Sequence, residues 1–355
     1  MDIGVFDHLD RGGKPGAAFY RERLEIVQAY EAAGFYSYHI AEHHFTPLGM
    51  APSPSVFLAS VAERTTRLRF GPLVYALPLY HPLRLIQEIC MLDNLSGGRL
   101  DMGFGRGASS IEAGYYGKEP SQETYAEALD AILKGLTSGE RFTFKGKLFD
   151  FDEVPLWLQP VQKPHPPMWY GVHSVESSER AARSGLNIVS ADGVAETRSF
   201  TDRYRTIWSE TRAAEALPRL GLTRFVVVAE TDEEALRIAR HAYLSWYESF
   251  NWLFRLKGTS PRLGERGANF DIVMQQGRGI AGSPKTVRDF LAGQLDASGC
   301  NYFVGQFAFG DMTLQETVNS IELFAAEISP HLCAQPANAA RLAGMADHNA
   351  RRAAN

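Results

Sequence analysis

The sequence predicts an α/β protein built as a (β/α)8 TIM barrel with insertions. Eight short apolar or β-prone runs, starting near residues 2, 36, 68, 100, 167, 187, 223 and 301, alternate with segments of helical periodicity. A strict β-then-α rhythm is the mark of a parallel sheet covered by helices. The chain has 355 residues, with no exact repeat and no extended low-complexity linker to mark two domains, so one barrel accounts for it. A doubly wound sheet is the competing use of the same alternation.

The elements read in order as follows. "DIGVF" (2–6) is a buried strand. Tyr20, Leu24, Val27 and Tyr30 recur at helical spacing, and Gly34 stops that helix. "YSYHIA" (36–41) is aromatic and β-prone. "SPSVFLASVAERTT" (53–66) opens with Ser and Pro, as helices often do. "LRFGPLVYAL" (68–77) is a strand, and a helix follows with Leu85, Ile89 and Leu92 on one face and Gly97-Gly98 past its end. "LDMGFG" (100–105) is a strand and "RGASSIEAGYYG" reads as a loop. A helix over about 121–138 precedes "RFTFKGKLFDF" (141–151), whose two alternating runs predict a hairpin insertion. Further strands at 167–172 and 187–190 flank a helix from Ser174 to Ser184, and a long helix reaches about Ala216. "TRFVVVAE" (223–230) is a strand that leads into "DEEALRIARHAYLSWY". The glycine-rich stretch 255–283 reads as a lid or a variable insertion. A helix at 283–295, a strand at 301–309 and a helix at 313–328 close a barrel domain over 1–331, and 332–355 reads as a tail.

Composition excludes several classes. A net charge of −5 without a long basic run argues against nucleic acid. No apolar run approaches the roughly 20 residues of a membrane span. The N-terminus carries charges inside its only apolar run, unlike a signal peptide. Cys90, Cys300 and Cys333 fit neither a disulfide framework nor a zinc cluster, so a reducing cytoplasm is the simplest setting.

In a barrel, ligands sit at the carboxyl ends of the strands. Glu42, His43 and His44 follow the second strand, Arg106 the fourth, and His173 and Ser174 the fifth. His39 and His43 have a metal-ligand spacing only if helical; on a strand, four residues span about 13 Å. A metal-dependent hydrolase using His39 and His43 is one alternative. The pair at a barrel mouth beside a carboxylate suits proton transfer, while either histidine alone could simply hydrogen-bond at a strand end. Gly103-x-Gly105-x-x-Ala108 only approaches the dinucleotide fingerprint. Leu100, Met102 and Phe104 alternate with Asp101, Gly103 and Gly105, so one face of that strand is bare and lets a backbone or something flat approach. Arg106 offers a fork suited to phosphate, or is an exposed turn residue. Ser174, Ser177 and Ser178 open a helix; they are helix caps or a phosphate cradle.

"AEHHF", "LPLYHPLRLIQEICMLDNLSGGRLDMGFGRG", "SVESSERAARSG" and "GSPKTVRDFL" together resemble the luciferase-like flavin-dependent monooxygenases, from about residue 2 to 330. The resemblance implies a barrel that binds reduced FMN, usually as a homodimer, with the flavin supplied by a separate reductase. It implies a C4a-hydroperoxyflavin, formed with O2, that oxygenates a small organic substrate. His43 matches the catalytic histidine, with Glu42 or His44 orienting it, and Glu112 matches an acidic residue of the mobile segment. Arg106 matches the phosphate arginine, and His173, Ser174 and Ser177 match the phosphate loop. Leu73-Val74 falls where the family has a cis peptide beneath the flavin. Gly105 replaces luciferase's cysteine, which removes one reason to expect light emission. His173 stands where luciferase has an acidic residue. The family also includes deazaflavin (F420)-dependent hydride-transfer enzymes, and a non-catalytic flavin-binding subunit is a further alternative.

Overall fold

The computed structural model describes residues 1–107, 109–119, 121–261 and 266–333. Eight parallel strands make a barrel: β1 (Asp2–Asp7), β2 (Ser37–Ile40), β3 (Arg69–Pro72), β5 (Met102–Gly105), β8 (Met168–Gly171), β9 (Asn187–Ser190), β10 (Leu220–Val228) and β12 (Tyr302–Gln306). These are the eight runs marked in the sequence. β3 meets the strand order's other end where Asp101 N donates to Phe70 O (2.8 Å) and Phe70 N to Arg99 O (3.2 Å), which closes the ring.

The short β4 (Tyr75–Ala76) pairs with β5, so the run at 68–77 is broken rather than one strand. The Leu73–Val74 peptide between its halves is cis. β6 (Arg141–Lys145) and β7 (Asp150–Pro155) form the antiparallel hairpin, which reaches four residues beyond the expected end.

Helices α1 (Gly16–Ala32), α2 (Pro54–Arg64), α3 (Pro82–Leu95), α4 (Ser110–Tyr115), α5 (Gln122–Thr137), α6 (Val175–Arg183), α7 (Val194–Thr211), α8 (Asp232–Lys257), α9 (Phe270–Gln275), α10 (Pro284–Ser298), α11 (Leu314–Glu327) and α12 (Ser329–Cys333) complete the described chain. α1 buries Phe19, Arg23, Ile26, Val27 and Tyr30. Its inward face is therefore turned from the Tyr20 stripe expected, because Arg23 turns in to pair with Asp7.

Two expectations are corrected. "RGASSIEAGYYG" contains α4, because Ser109 caps it by accepting from Glu112 N (3.3 Å). The proposed lid at 255–283 begins inside α8 and ends in β11 (Gly279–Gly282), a fully buried strand that pairs with Phe225–Val228 of β10. "GIAG" carries too little side chain to read as a strand. It is small because a Cβ at Gly282 would lie 2.8 Å from Thr286 and one at Gly279 2.9 Å from Val273. Residues 262–265, in the middle of that stretch, and 334–355, nearly all of the expected tail, lie outside the described residues.

Outward-facing Val5, Tyr38, Phe70, Met102, Phe104 and Phe303 pack under the helices in the main core. The lumen is a separate cluster of Trp169, Val189, Tyr302 and Val304, flanked by Phe6, Tyr36 and Leu73. Gly4 makes room for it: a Cβ there would fall on the Tyr302 hydroxyl. At the amino ends of the strands Arg219 bonds Asp2 (2.7 Å) and covers Tyr36, and Arg69 bonds Asp101 (2.8 Å). A lumen plugged with side chains at that end leaves the carboxyl ends as the mouth.

Candidate active site at the carboxyl ends of the strands

β2 ends at Ile40, and the next residues run across the mouth. The Glu42 carboxylate is buried. It accepts from Ala76 N (3.0 Å), Tyr80 OH (2.9 Å) and His44 Nε2 (2.7 Å). A carboxylate only accepts, so His44 carries its proton on Nε2, and its Nδ1 accepts from Tyr116 OH (2.9 Å). His44 is therefore saturated at both nitrogens.

His43 differs. Its Nδ1 donates to Glu112 Oε1 (3.0 Å), while Glu112 Oε2 accepts from His44 N (2.8 Å). Nε2 has no partner among the described residues. Burial opposes the His43 cation, but the charge and hydrogen bond of Glu112, with the charge of Glu42, outweigh it and raise its pKa. A Cβ at Gly49 would lie 2.4 Å from that of His43, so the loop's return is glycine where it passes this ring.

The bare face of β5 is filled by protein backbone. A Cβ on Gly103 would sit 2.3 Å from Pro72 O and 3.0 Å from Leu73 Cα, and one on Gly105 2.4 Å from Val74. The glycines thus let the cis Leu73–Val74 segment lie against β5, with Leu73 reaching the lumen. Arg106, just beyond β5, is exposed and makes no ion pair among the described residues. β5 pairs with β8, the strand that leads into α6, so Arg106 leaves the sheet beside that strand.

There Ser174 and Ser177 form a capping box: Ser177 N donates to Ser174 Oγ (3.2 Å) and Ser174 N to Ser177 Oγ (3.1 Å). Their hydroxyls are spent on the helix start, the plainer of the two readings. The end of α6 still presents its first-turn dipole. His173 donates N–H to Ser177 Oγ (3.3 Å), and its Nδ1 meets Asp192 Oδ2 (3.1 Å). Burial would raise Asp192, but His173, Arg278 and Arg266 together hold it below the usual range.

Several mouth residues went unmarked in the sequence. His8 follows β1 directly and lies against His43, with ring centroids 6.0 Å apart. Burial, the His43 charge and Arg266 hold its pKa well below 6.5, so the ring is neutral. Its position just after the first strand was the available signal. Trp246, Arg266, Asp192 and Tyr116 come from helices and loops far apart in sequence and gave none. His39 points into the lumen, bonding Tyr302 OH (3.2 Å) and meeting Trp169 edge-on, whereas His43 turns to Glu112. Among the described residues no group of three or more His, Cys, Asp or Glu is placed to hold a metal.

Residues 1–300 match the luciferase-like monooxygenase family. The chain is 39% identical to an uncharacterised protein, y4wF, of Sinorhizobium fredii, over 92% of this chain and 96% of the other. It is 28% identical to the oxygenase component of the flavin-dependent trigonelline monooxygenase of Acinetobacter baylyi, over 72% of each. Among solved structures, the monooxygenase RslO1 of Streptomyces bottropensis superposes with a TM-score of 0.83 (24% identity, 93% of this chain, 99% of that one). The oxygenating constituent of 3,6-diketocamphane monooxygenase from Pseudomonas putida, in complex with FMN, gives 0.76 (21%, 93% and 98%). The F420-dependent tetrahydromethanopterin reductase of Methanopyrus kandleri gives 0.68 (16%, 94% and 100%). The chain belongs to the luciferase-like monooxygenase family.

Proposed function

We propose that this chain is the oxygenase component of a two-component monooxygenase, using reduced FMN and O2 on a small organic substrate. The observation that carries the reading is His43: anchored and made more basic through Nδ1, it keeps Nε2 for the mouth. The residues present fit a flavin phosphate, since Arg106 has no carboxylate partner among the described residues and follows β5, which pairs with the β8 strand that leads into α6. Arg106, with the α6 N-terminus at Ser174–Ser177 and His173, would hold that phosphate, and Leu73 and Val74 would lie under the ring system. Bound reduced FMN would supply the two electrons that leave one atom of O2 in the product and the other in water. His43 holds or gives a proton at Nε2, Glu112 fixes its tautomer, and the Glu42–His44–Tyr116 chain holds the loop that carries it.

A separate reductase supplying the flavin is supported by the relative described as an oxygenase component. Pairing of two copies is supported by exposed Val56 on α2 and Met91 and Leu95 on α3. The barrel, residues 1–331 with its hairpin insertion, works as one unit. No helix among the described residues is long and apolar enough to cross a membrane. A cytoplasmic setting accords with Cys90, Cys300 and Cys333 all being free.

The test is anaerobic titration with reduced FMN and, separately, reduced F420. Reduced FMN should bind and, with oxygen admitted, be consumed by this protein in substrate-dependent turnover. Binding of F420 in place of FMN would defeat the reading in favour of hydride transfer.

A further inference from the structure

Beyond His43 the rim carries residues that the cofactor-anchoring role leaves unused. Trp246 of α8 meets the edge of His8 at 5.5 Å between ring centroids, and Phe250 stacks on Trp246 at 5.1 Å. The Arg266 guanidinium lies 5.6 Å from the Phe250 ring centroid. Phe6 closes the row, edge-on to His8 at 4.8 Å. A continuous aromatic row thus runs from His43 at one end to an arginine at the other.

Arg266 is half-buried, and it makes no ion pair among the described residues. Among its neighbours Arg278 acts on it most, followed by Tyr243 and Asp192. Asp192 is already bonded to His173, and Arg278 has no ion pair among the described residues either. Two guanidinium groups and one committed carboxylate leave this corner net positive. A desolvated cation without a counter-ion is costly, so a site built this way gains from an anionic ligand. The planar fork matches a carboxylate, and the aromatic row matches a flat ring. The corner adjoins the Arg106 cradle through His173, the partner of Asp192, so reduced-FMN binding is followed alongside the substrate probes.

Resting on the oxygenase reading above, we propose that the substrate is a planar carboxylate, an aromatic or heteroaromatic acid. Its ring lies along His8 and Phe250, its carboxylate pairs with Arg266, and its far edge is turned to His43.

The test is calorimetric titration of the protein with benzoate and with its neutral analogue benzamide. Benzoate should bind about tenfold tighter or more, and Arg266→Gln should level the two, since removing one partner of a charge pair leaves the other uncompensated. Arg266→Lys should keep part of the preference, which guards against a folding defect in the Gln variant. Reduced-FMN binding should be unchanged in both variants. Equal binding of the two probes, no binding of either, or a preference that survives Arg266→Gln overturns the proposal. Loss of FMN binding in Arg266→Gln, with benzoate unaffected, would assign the arginine to the cofactor and also overturn it. If benzoate binding depends on Arg266 while reduced FMN never binds, the anion site stands and the oxygenase reading falls.

Discussion

Replacing Glu112 by Gln should lower the pKa of His43, because the Glu112 charge and hydrogen bond are what raise it. Glu112 faces His43 Nδ1 at 3.0 Å and is 8% exposed. Coulomb's law at that separation gives about 1.4 kcal/mol in bulk water and about 5.5 kcal/mol at an effective dielectric constant of 20, and one pKa unit is about 1.4 kcal/mol. Burial already works against the cation, so nothing remains to hold the pKa up once Glu112 loses its charge, apart from the more distant Glu42. The amide has a second effect. Its single oxygen accepts from His43 or from His44 N, whereas the carboxylate serves both. The assay is an NMR titration of the His43 ring protons in both proteins. Because the folded pKa is raised, the pair stabilises the wild type fully at pH values below the unfolded histidine's value of about 6.5 and ceases to do so as pH rises through the folded value. The stability gap between wild type and E112Q should therefore be widest in mild acid and shrink towards alkaline pH. An unchanged His43 pKa in E112Q would refute the role given to Glu112.

Arg106→Ala should weaken reduced-FMN binding by about 1.5–3 kcal/mol, the range for a charged hydrogen bond, and leave the melting temperature unchanged; unaltered affinity would put the phosphate elsewhere. Asp10 is 1% exposed, and burial raises its pKa to about 6, only partly offset by Ser249, Arg23, Gly12 and Gly310. Its contribution to stability is present below the unfolded value near pH 4 and lost as pH rises through about 6. Wild-type stability measured by denaturant should fall relative to Asp10→Asn by up to about 3 kcal/mol across that window. Gly49→Ala would drive a methyl to within 2.4 Å of the His43 Cβ. It should cost about 1–3 kcal/mol of stability and cut turnover further than the stability loss explains; full turnover would show that the loop yields freely.

Strands with bulky side chains announce themselves in the chain, and strands without them do not. β1, β2, β5 and β10 carry bulky outward residues at every second position, which is legible without coordinates. β11 carries Gly279, Ile280, Ala281 and Gly282, and only its pairing with Phe225–Val228 makes it a strand. The bare face of β5 was legible as a place for close approach, but its occupant, the Leu73–Val74 backbone, was not. Glu42, His43 and His44 stood together in the chain, yet which histidine is free depended on Tyr116 and Glu112, roughly seventy residues away.

By itself the sequence determined the alternation of the eight barrel strands with helices, the barrel, and the neighbourhood of the mouth. Those follow from local periodicity and from the rule that loops after parallel strands share one end. Only the tertiary structure decided that His44 is saturated, that His43 keeps one nitrogen for the mouth, and that His8, Trp246, Phe250 and Arg266 line up beside it. Hydrogen-bond completion and charge balance are properties of groups brought together by folding, and residues that meet only across a barrel mouth leave no short-range pattern in the chain.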